Sequence, residues 1–127
     1  MRNLSFALTT EQVRARTKTV TRRRGTWWAR VLKPGDLLCA VEKSQGIRKG
    51  ELVRLGTIRV RNVRVEPLNA IEGDFGSLRV LEVTREGFPQ LTSREFVAMF
   101  CRHMGGSHDQ LVTRIEFEYV DPTEARP

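Results

Sequence analysis

The chain has 127 residues, of which 39% are hydrophobic and 29% charged, and its formal net charge at pH 7 is +7. These values predict one globular, soluble domain that is large enough to bury a core. No apolar run approaches the ~20 residues that cross a bilayer, and no signal-peptide pattern stands at the start, so we expect no membrane partner and no secretion signal.

The first part of the chain predicts a strand, a short helix and an extended segment. The stretch "NLSFAL" alternates weakly and predicts a first strand. Thr9 and Gln12 form a capping-box pattern, which predicts a helix from about residue 10 to 16. The β-branched residues of "KTVTRR" then favour an extended segment.

The middle of the chain predicts β-strands that bend. A Pro34–Gly35 turn precedes the strand pattern "DLLCAVEK". The stretch "LVRLGTIRVRNVRVEPL" predicts a long strand, in which Gly56 marks a bulge or bend. Residues 68–85 are ambiguous, and the spacing of Leu78 and Leu81 favours a helix there.

The last part predicts one clear helix and one strand. Thr92 and Glu95 form a second capping box, and Gly105–Gly106 ends the helix. One stripe of this helix is expected to pack in the core, namely Phe96, Met99, Phe100 and His103. The stretch "LVTRIEFEYV" predicts a half-buried antiparallel strand, with Ile115, Phe117 and Tyr119 inward and Arg114, Glu116 and Glu118 outward.

This order of elements predicts an α+β fold, a small and mostly antiparallel β-barrel with two or three peripheral helices. Residues 1–120 are expected to form a single domain, followed by a flexible tail at 121–127. Cys39 and Cys101 have no CxxC partner, so we expect free thiols in a reducing, cytoplasmic compartment. His103 and His108 do not complete a zinc site with them, and we expect no metal and no cofactor.

The charge is divided unevenly along the chain. Residues 1–64 carry a net charge of +12 and residues 65–127 a net charge of −5. Such asymmetry favours an anionic partner, and nucleic acid is the commonest one. The alternative is that the basic half pairs with the acidic half. A monomer or a weak dimer is expected in either case.

The basic run "RARTKTVTRRRGTWW" at residues 14–28 holds the candidate chemistry. Thr21 becomes a nucleophile only if a base takes its proton, and Lys18 can do so only if its pKa is lowered. Arg22, Arg23 and Arg24 supply positive charge that would lower it. Spacing alone does not bring Lys18 and Thr21 together, and the alternative is a basic edge strand.

Arg22, Arg23 and Arg24 are also candidates for binding a nucleic acid or nucleoside, together with several residues outside this run of arginines. Trp27 and Trp28 are adjacent, and on a strand one of them would enter the core or cover the barrel while the other stacks on a base. Lys43 lies in a predicted loop and suits a phosphate contact. Arg59 and Arg61 are either phosphate contacts or a solvated strand face.

Four stretches together resemble the ASCH family of the PUA-like superfamily. They are "KTVTRR", "LKPGDLL", "REGFPQLTSREFVAMF" and "VTRIEFEY", and the resemblance covers residues 4–120. Its most specific parts are the pattern of Lys18, Thr21 and Arg23, the Gly35–Asp36 pair, and the triplet at 86–88.

The resemblance implies a PUA-like fold that binds RNA or a modified nucleoside. Some small ASCH proteins are amidohydrolases that remove the acetyl group from N4-acetylcytidine, and their proposed catalytic residues correspond to Lys18, Thr21 and Glu86. From the sequence alone, Glu86 could equally be a plain helix end before Gly87. Two alternatives remain beside the hydrolase, namely a noncatalytic reader of RNA or of a modified base, and a metal-independent ribonuclease.

Overall fold

The structure is a computed structural model that describes residues 1–44, 46–48, 50–73 and 82–121. The helical segment α3 is described over residues 82–85, and a 3-10 turn spans Leu68–Glu72. The strands are β1 (Arg2–Ser5), β2 (Val20–Arg24), β3 (Leu37–Val41), β4 (Arg54–Pro67) and β5 (Leu111–Val120), and the other helices are α1 (Thr10–Arg14), α2 (Trp27–Val31) and α4 (Ser93–Met104).

The five strands form one sheet in the order β1-β3-β4-β5-β2. The pair β1–β3 is parallel, and the other three pairs are antiparallel. The sheet curls into a half-barrel whose two edge strands are β1 and β2. The predicted α+β fold with a small, mostly antiparallel barrel is therefore confirmed, in an open rather than a closed form.

The long strand β4 allows the sheet to curl. One end of it pairs with β3, and most of its length pairs with β5. The register with β3 shifts beside Gly56, whose φ is 144°, and the register with β5 shifts between Val60 and Asn62. Such irregularities bend a strand and increase its twist, so the bend predicted at Gly56 is confirmed.

Two groups of buried side chains stabilise the fold, and β5 contributes to both. Ile115 and Phe117 pack with Leu4 and Phe6 inside the curled sheet. Val112 packs on the opposite side, against Phe96 and other residues of α4 and its neighbours. The prediction that β5 is half-buried is wrong in its middle, because α3 and α4 cover its second face and leave Arg114 only 3% exposed.

Three further predictions about helices need correction. Helix α1 ends at Arg14, and the Thr9 side chain makes no capping hydrogen bond. Trp27 and Trp28 lie in helix α2, not on a strand, so the alternation of a strand does not place them on opposite faces. His103 is exposed, because it lies at the edge of the apolar stripe of α4.

The capping box of Thr92 and Glu95 is confirmed in both of its hydrogen bonds, and Gly105 follows α4 with a φ of 84°. Of the helix predicted within residues 68–85, the part at 82–85 is helical. The spacing residues Leu78 and Leu81 lie outside the described residues, as does the predicted tail beyond Asp121.

Candidate active site

A cavity of about 200 Å³ opens where the two edge strands of the half-barrel come near each other. Its wall combines the end of β1 with the segment leading into α1, strand β2, the end of α3, and α4. Lys18, Thr21 and Glu86 all line this cavity, as do Arg22 and Arg23. The remaining wall is mainly apolar: Phe6, Ala7, Leu8, Phe88, Phe96, Met99, Phe100 and Met104, with Ser5 and Thr9.

Lys18 is positioned by the turn that ends α1. Arg16 has a φ of 60°, and the backbone N–H groups of Arg16 and Thr17 donate to the carbonyls of Val13 and Gln12. This is the Schellman arrangement, in which the residue after the C-cap is left-handed. The Tyr119 hydroxyl then donates to the Lys18 carbonyl and ties the segment to β5.

Glu86 is positioned by a second Schellman turn at the end of α3. The N–H groups of Gly87 and Phe88 donate to the carbonyls of Thr84 and Val83. Gly87 has a φ of 99°, and a Cβ there would stand 2.9 Å from a Gln12 side-chain carbon. Both constraints call for glycine, so Glu86 is a helix end and also lines the cavity.

Lys18 and Glu86 form a buried ion pair at the cavity wall. Lys18 Nζ lies 2.8 Å from Glu86 Oε1 and 2.6 Å from the Glu86 backbone oxygen. Both side chains are 3% exposed. Burial lowers the pKa of Lys18, the Glu86 carboxylate opposes that shift, and the charges of Arg23 and Arg22 lower the pKa further.

Arg22 connects this pair to a larger network. Its Nη1 lies 2.8 Å from Glu86 Oε2, and its Nη2 lies 2.6 Å from Glu82 Oε2. Arg114 completes the network through two hydrogen bonds of 2.8 and 2.9 Å to Glu82. Burial raises the pKa of Glu82, but the hydrogen bonds and charges of Arg114 and Arg22 outweigh it and lower that pKa to about 2.

Glu82 and Arg114 were not singled out from the sequence. One signal was available, because Glu82 and Glu86 are four residues apart and so lie on the same side of a helical turn. The backbone N–H of Glu86 donates to the backbone carbonyl of Glu82 at 2.9 Å. No local pattern, however, assigns Arg114 of β5 to the same cluster.

Thr21 and Arg23 form a second polar pair at the wall. Arg23 Nε donates to Thr21 Oγ1 at 3.2 Å, and its guanidinium lies 5.0 Å from the centre of the Phe6 ring. Burial lowers the pKa of Arg23 to about 10. Thr21 and Lys18 line the same cavity, but within the described ranges no hydrogen bond joins their side chains.

The other candidates for ligand binding lie at different places. Arg24 is exposed and donates to Gln110 and to the Met104 carbonyl, at the end of α4. Trp27 is 46% exposed beneath the Arg2 guanidinium. Trp28 packs partly on the core and, together with the exposed Lys43, lines a second cavity beside β1.

Arg59 and Arg61 both form salt bridges with Glu118 on the neighbouring strand, at 3.1 and 3.2 Å. This pairing favours the interpretation of a solvated strand face for these two residues. Cys39 is buried and Cys101 half-buried, and both are free thiols. Across residues 1–44, 46–48, 50–73 and 82–121, no three side chains of the metal-binding types cluster.

No helix in the described part of the chain has the length and apolar character that crossing a membrane requires.

Comparison with known proteins relates this fold to a small set of solved structures. No family model matches the sequence, and no curated protein matches it. Protein EF3133 from Enterococcus faecalis V583, described under the family model DUF984, is similar with a TM-score of 0.61 and 18% identity over 95% of this chain and 77% of that one. The hypothetical protein PH0355 is similar with a TM-score of 0.59 and 18% identity, over 94% of this chain and 96% of the other.

An ASCH domain from Lactobacillus crispatus JV V101 is also similar, with a TM-score of 0.56 and 12% identity over 93% of this chain and 78% of that one. The chain therefore shares its small α+β fold with this ASCH domain. At these identities the likeness concerns the fold, and what the cavity does must be argued from its own residues.

Proposed function

We propose that the protein is an amidohydrolase that removes the acyl group from an N4-acylated cytidine. Thr21 is the nucleophile, Lys18 is the base, and Glu86 orients Lys18. The observation that carries the proposal is a lysine with a 3% exposed side chain and a lowered pKa, held by a glutamate in a cavity that a threonine also lines. Perturbed titratable groups of this kind in a cavity are typical of catalytic sites.

The hydrogen bonds of Lys18 suit a general base. A neutral amine has two N–H groups and one lone pair, and Glu86 offers two acceptors, its backbone oxygen and Oε1. When both N–H groups point to Glu86, the lone pair is left to accept a proton. Burial, together with the charges of Arg23 and Arg22, lowers the pKa of Lys18 and so disfavours its ammonium form, which favours a role in accepting the Thr21 proton and releasing it later.

The hydroxyl of Thr21 is also suitably oriented by its partner. A guanidinium can only donate hydrogen bonds, so Thr21 Oγ1 must accept the bond from Arg23 Nε. The hydroxyl proton is therefore free to be donated elsewhere. Binding of substrate over the Phe88 and Phe96 wall would exclude water and strengthen every electrostatic interaction in the cavity.

The reaction then proceeds in two balanced stages. Thr21 Oγ1 attacks the amide carbonyl carbon while its proton passes to Lys18, and a tetrahedral oxyanion forms. The carbon–nitrogen bond breaks, cytidine leaves with the proton returned by Lys18, and an acyl ester remains on Thr21. Water attacks this ester with Lys18 again as the base, which releases the carboxylic acid and restores the threonine.

Glu86 acts best as a positioning residue. Its Oε1 accepts from Lys18 and its Oε2 accepts from Arg22, so both oxygens already have cationic partners. A carboxylate held in this way favours the charged form of Lys18 without itself needing to move a proton. This favours the role of orienting the base over the role of donating a proton to the leaving group.

A backbone donor for the oxyanion is available on the open edge of β2. The Phe117 N–H donates to the Thr19 carbonyl, and the Gly25 N–H donates to the Leu111 carbonyl. Because pairs alternate along an antiparallel ladder, the N–H of Arg22 turns away from β5 and toward the unpaired edge. Such a preorganised N–H is typically worth about 3 kcal/mol of transition-state stabilisation.

The test is hydrolysis of N4-acetylcytidine, followed by the change in ultraviolet absorbance as cytidine forms. Thr21→Val keeps the side-chain shape and removes the nucleophile, so we expect kcat to fall by at least about 10³-fold. Thr21→Ser is expected to retain activity. The kcat of Lys18→Met should fall as far as that of Thr21→Val. Lys33→Met changes an exposed lysine outside the cavity and should retain wild-type turnover.

Circular dichroism and the urea midpoint show whether each variant is folded. Full activity in folded Thr21→Val would overturn the threonine as nucleophile. An inert wild type that binds RNA with a steep dependence on salt would instead identify a reader of RNA. Shortening of labelled RNA that Lys18→Met abolishes would identify a ribonuclease.

A further inference from the structure

A second cavity of about 390 Å³ lies beside the first, and residues of β1 line part of it. Ser5 and Arg23 line both cavities, so the two adjoin across these side chains. Among the described residues, the wall of the second cavity has two cations, Arg23 and Lys43, and no carboxylate. Its other lining residues are Asn3, Leu4, Trp28 and Ser44.

Arg23 stands at the junction and forms no salt bridge with a described residue, although the charge of Glu86 acts on it from a distance. Its Nε is bound to Thr21, but in the described part of the chain neither terminal nitrogen has a hydrogen-bond partner, and neither is sealed from solvent. The pKa of Arg23, about 10, keeps the side chain charged at neutral pH. A half-buried cation is costly unless an opposite charge approaches it, so this position is suited to an anionic ligand.

Four other arginines of the sheet differ from Arg23, because they form salt bridges. Arg22 and Arg114 are bound to carboxylates of α3, and Arg59 and Arg61 are bound to Glu118. Lys43, like Arg23, forms no salt bridge with a described residue, and it is exposed at the rim of the second cavity. Two cations without a salt bridge to a described residue, Arg23 and Lys43, therefore line the second cavity, which adjoins the first.

On the strength of the proposed function, we infer that the substrate is a phosphate ester of the acylated cytidine. The acylated base occupies the first cavity, and the phosphate group occupies the second, between Arg23 and Lys43. Arg23 then has two roles that its geometry separates, because Nε serves Thr21 and the terminal nitrogens serve the phosphate. Guanidinium groups match phosphate oxygens in a bidentate manner, and lysine adds a point charge.

The experiment separates this inference from the proposed function by measuring binding without turnover. Calorimetric titrations compare cytidine with its 5′- and 3′-monophosphates, none of which carries an acyl group to hydrolyse. We expect one monophosphate to bind at least about tenfold more tightly than cytidine, which is the effect of one good charged contact. This advantage should shrink as salt is raised, because exposed charges are screened.

Lys43→Gln is expected to remove most of the preference for the monophosphate. Lys33→Gln, which changes an exposed lysine outside both cavities, should keep that preference. Equal binding of cytidine and both monophosphates, or an unchanged preference in Lys43→Gln, would overturn the inference even if N4-acetylcytidine is hydrolysed. Failure to hydrolyse N4-acetylcytidine and its monophosphates would overturn the proposed function instead.

A kinetic arm identifies the source of the phosphate. The ratio of kcat/KM is compared for N4-acetylcytidine, its preferred monophosphate, and a short RNA that contains N4-acetylcytidine. If kcat/KM is higher for the monophosphate than for the nucleoside, and the RNA shows no such increase, the substrate is a free nucleotide. An equal or larger gain for the RNA assigns a nucleotide within a chain, and no gain for either contradicts the inference.

Discussion

At the scale of single residues, the unusual feature is a lysine buried between one carboxylate and two guanidinium groups. Lys18, Arg22 and Arg23 stand near Glu86, and Glu82 is shared between Arg22 and Arg114. Positive charge therefore exceeds negative charge around Lys18. Since burial also disfavours a charged amine, the environment is suited to a base that must lose its proton before it can act.

The first prediction concerns the pH dependence of hydrolysis. Lys18 is active as a base only when neutral, so kcat/KM should rise with pH through the pKa of Lys18 and then level. Glu86 raises that pKa, so Glu86→Gln should move the inflection to lower pH. Measurement of kcat/KM for N4-acetylcytidine from about pH 5 to about pH 10 checks this shift.

Glu118→Gln is the matched control, because Glu118 pairs with Arg59 on an exposed strand face. It should leave the inflection where the wild type has it. An inflection of Glu86→Gln that stays in place, or moves to higher pH, contradicts the assigned role of Glu86. In Glu86→Gln, Lys18 can still donate a hydrogen bond to the side-chain amide oxygen. The geometry around Lys18 therefore stays close to that of the wild type.

The residue types of the candidate site could be proposed from the sequence, but their contacts could not. The pattern around Lys18 and the triplet at Glu86 are visible as short motifs. Their ion pair joins residues 68 positions apart, and the packing that unites them is tertiary. Hydrogen bonding of Thr21 to Arg23 instead of Lys18 likewise depends on side-chain direction, which spacing does not determine.

At the scale of elements, two helix ends bring the ionic partners together. Helix α1 is followed by a left-handed Arg16, two residues before Lys18, and α3 is followed by a left-handed Gly87, one residue after Glu86. Gln12 links the two turns, because its side-chain amide donates to the Gly87 carbonyl at 3.2 Å. The pair is therefore set by backbone geometry as well as by charge.

The second prediction concerns the strain at Arg16. A left-handed conformation costs a non-glycine residue about 1 kcal/mol, which glycine does not incur. Arg16→Gly should therefore unfold with a free energy about 1 kcal/mol higher than that of Arg16→Ala, which loses the same contact with Tyr119 but keeps the strain. Urea unfolding of the two variants measures this difference directly, and equal stabilities would contradict it.

Helix α4, whose local signals were the most consistent, was predicted correctly, whereas helix α2 was not predicted. Thr92, Glu95 and the apolar stripe of α4 agree with one another, so local and tertiary preferences coincide there. Thr9 offered the same capping pattern, but its side chain is buried at the cavity wall, and the neighbouring Thr10 hydroxyl donates to the Phe6 carbonyl. Tertiary packing overrode the local signal at that position.

At the scale of the whole molecule, the basic and acidic parts of the chain meet across the sheet. Arg22 and Lys18 pair with carboxylates of α3, and Arg59 pairs with Glu118 of β5. The uneven charge along the sequence is thus partly neutralised within the fold. Among the described residues that line the cavities, the cations without a salt bridge are Arg23 and Lys43, so the sequence asymmetry alone overstated how much positive charge is free.

The strand order is the feature that the sequence could not supply. Alternation identifies β4 and β5, and turn residues identify the start of β3, but none of these patterns states which strands are neighbours. The parallel contact of β1 with β3, and the placement of β2 beyond β5, leave the two N-terminal strands at opposite edges. Only this long-range arrangement creates the opening that the candidate site occupies.

The last prediction concerns the stability of the whole fold in acid. The pKa of Glu82 is about 2 in the folded protein, against an ordinary value of 4.5. Because the folded value is the lower one, its contribution to stability is complete above about pH 4.5 and is lost as pH falls toward 2. Glu82→Gln should therefore lower the free energy of unfolding at neutral pH and flatten its decline over that range.

Urea unfolding at a series of pH values measures the two curves. Glu11→Gln serves as the control, because the Glu11 side chain is 80% exposed and its loss should leave the acid decline parallel to that of the wild type. If the free energy of unfolding of Glu82→Gln declined with acid in parallel with that of the wild type, the network of Arg22, Glu82 and Arg114 would not stabilise the fold by charge. Convergence of the Glu82→Gln and wild-type curves near pH 2 is the expected result, since protonation then removes the same carboxylate that the substitution removes.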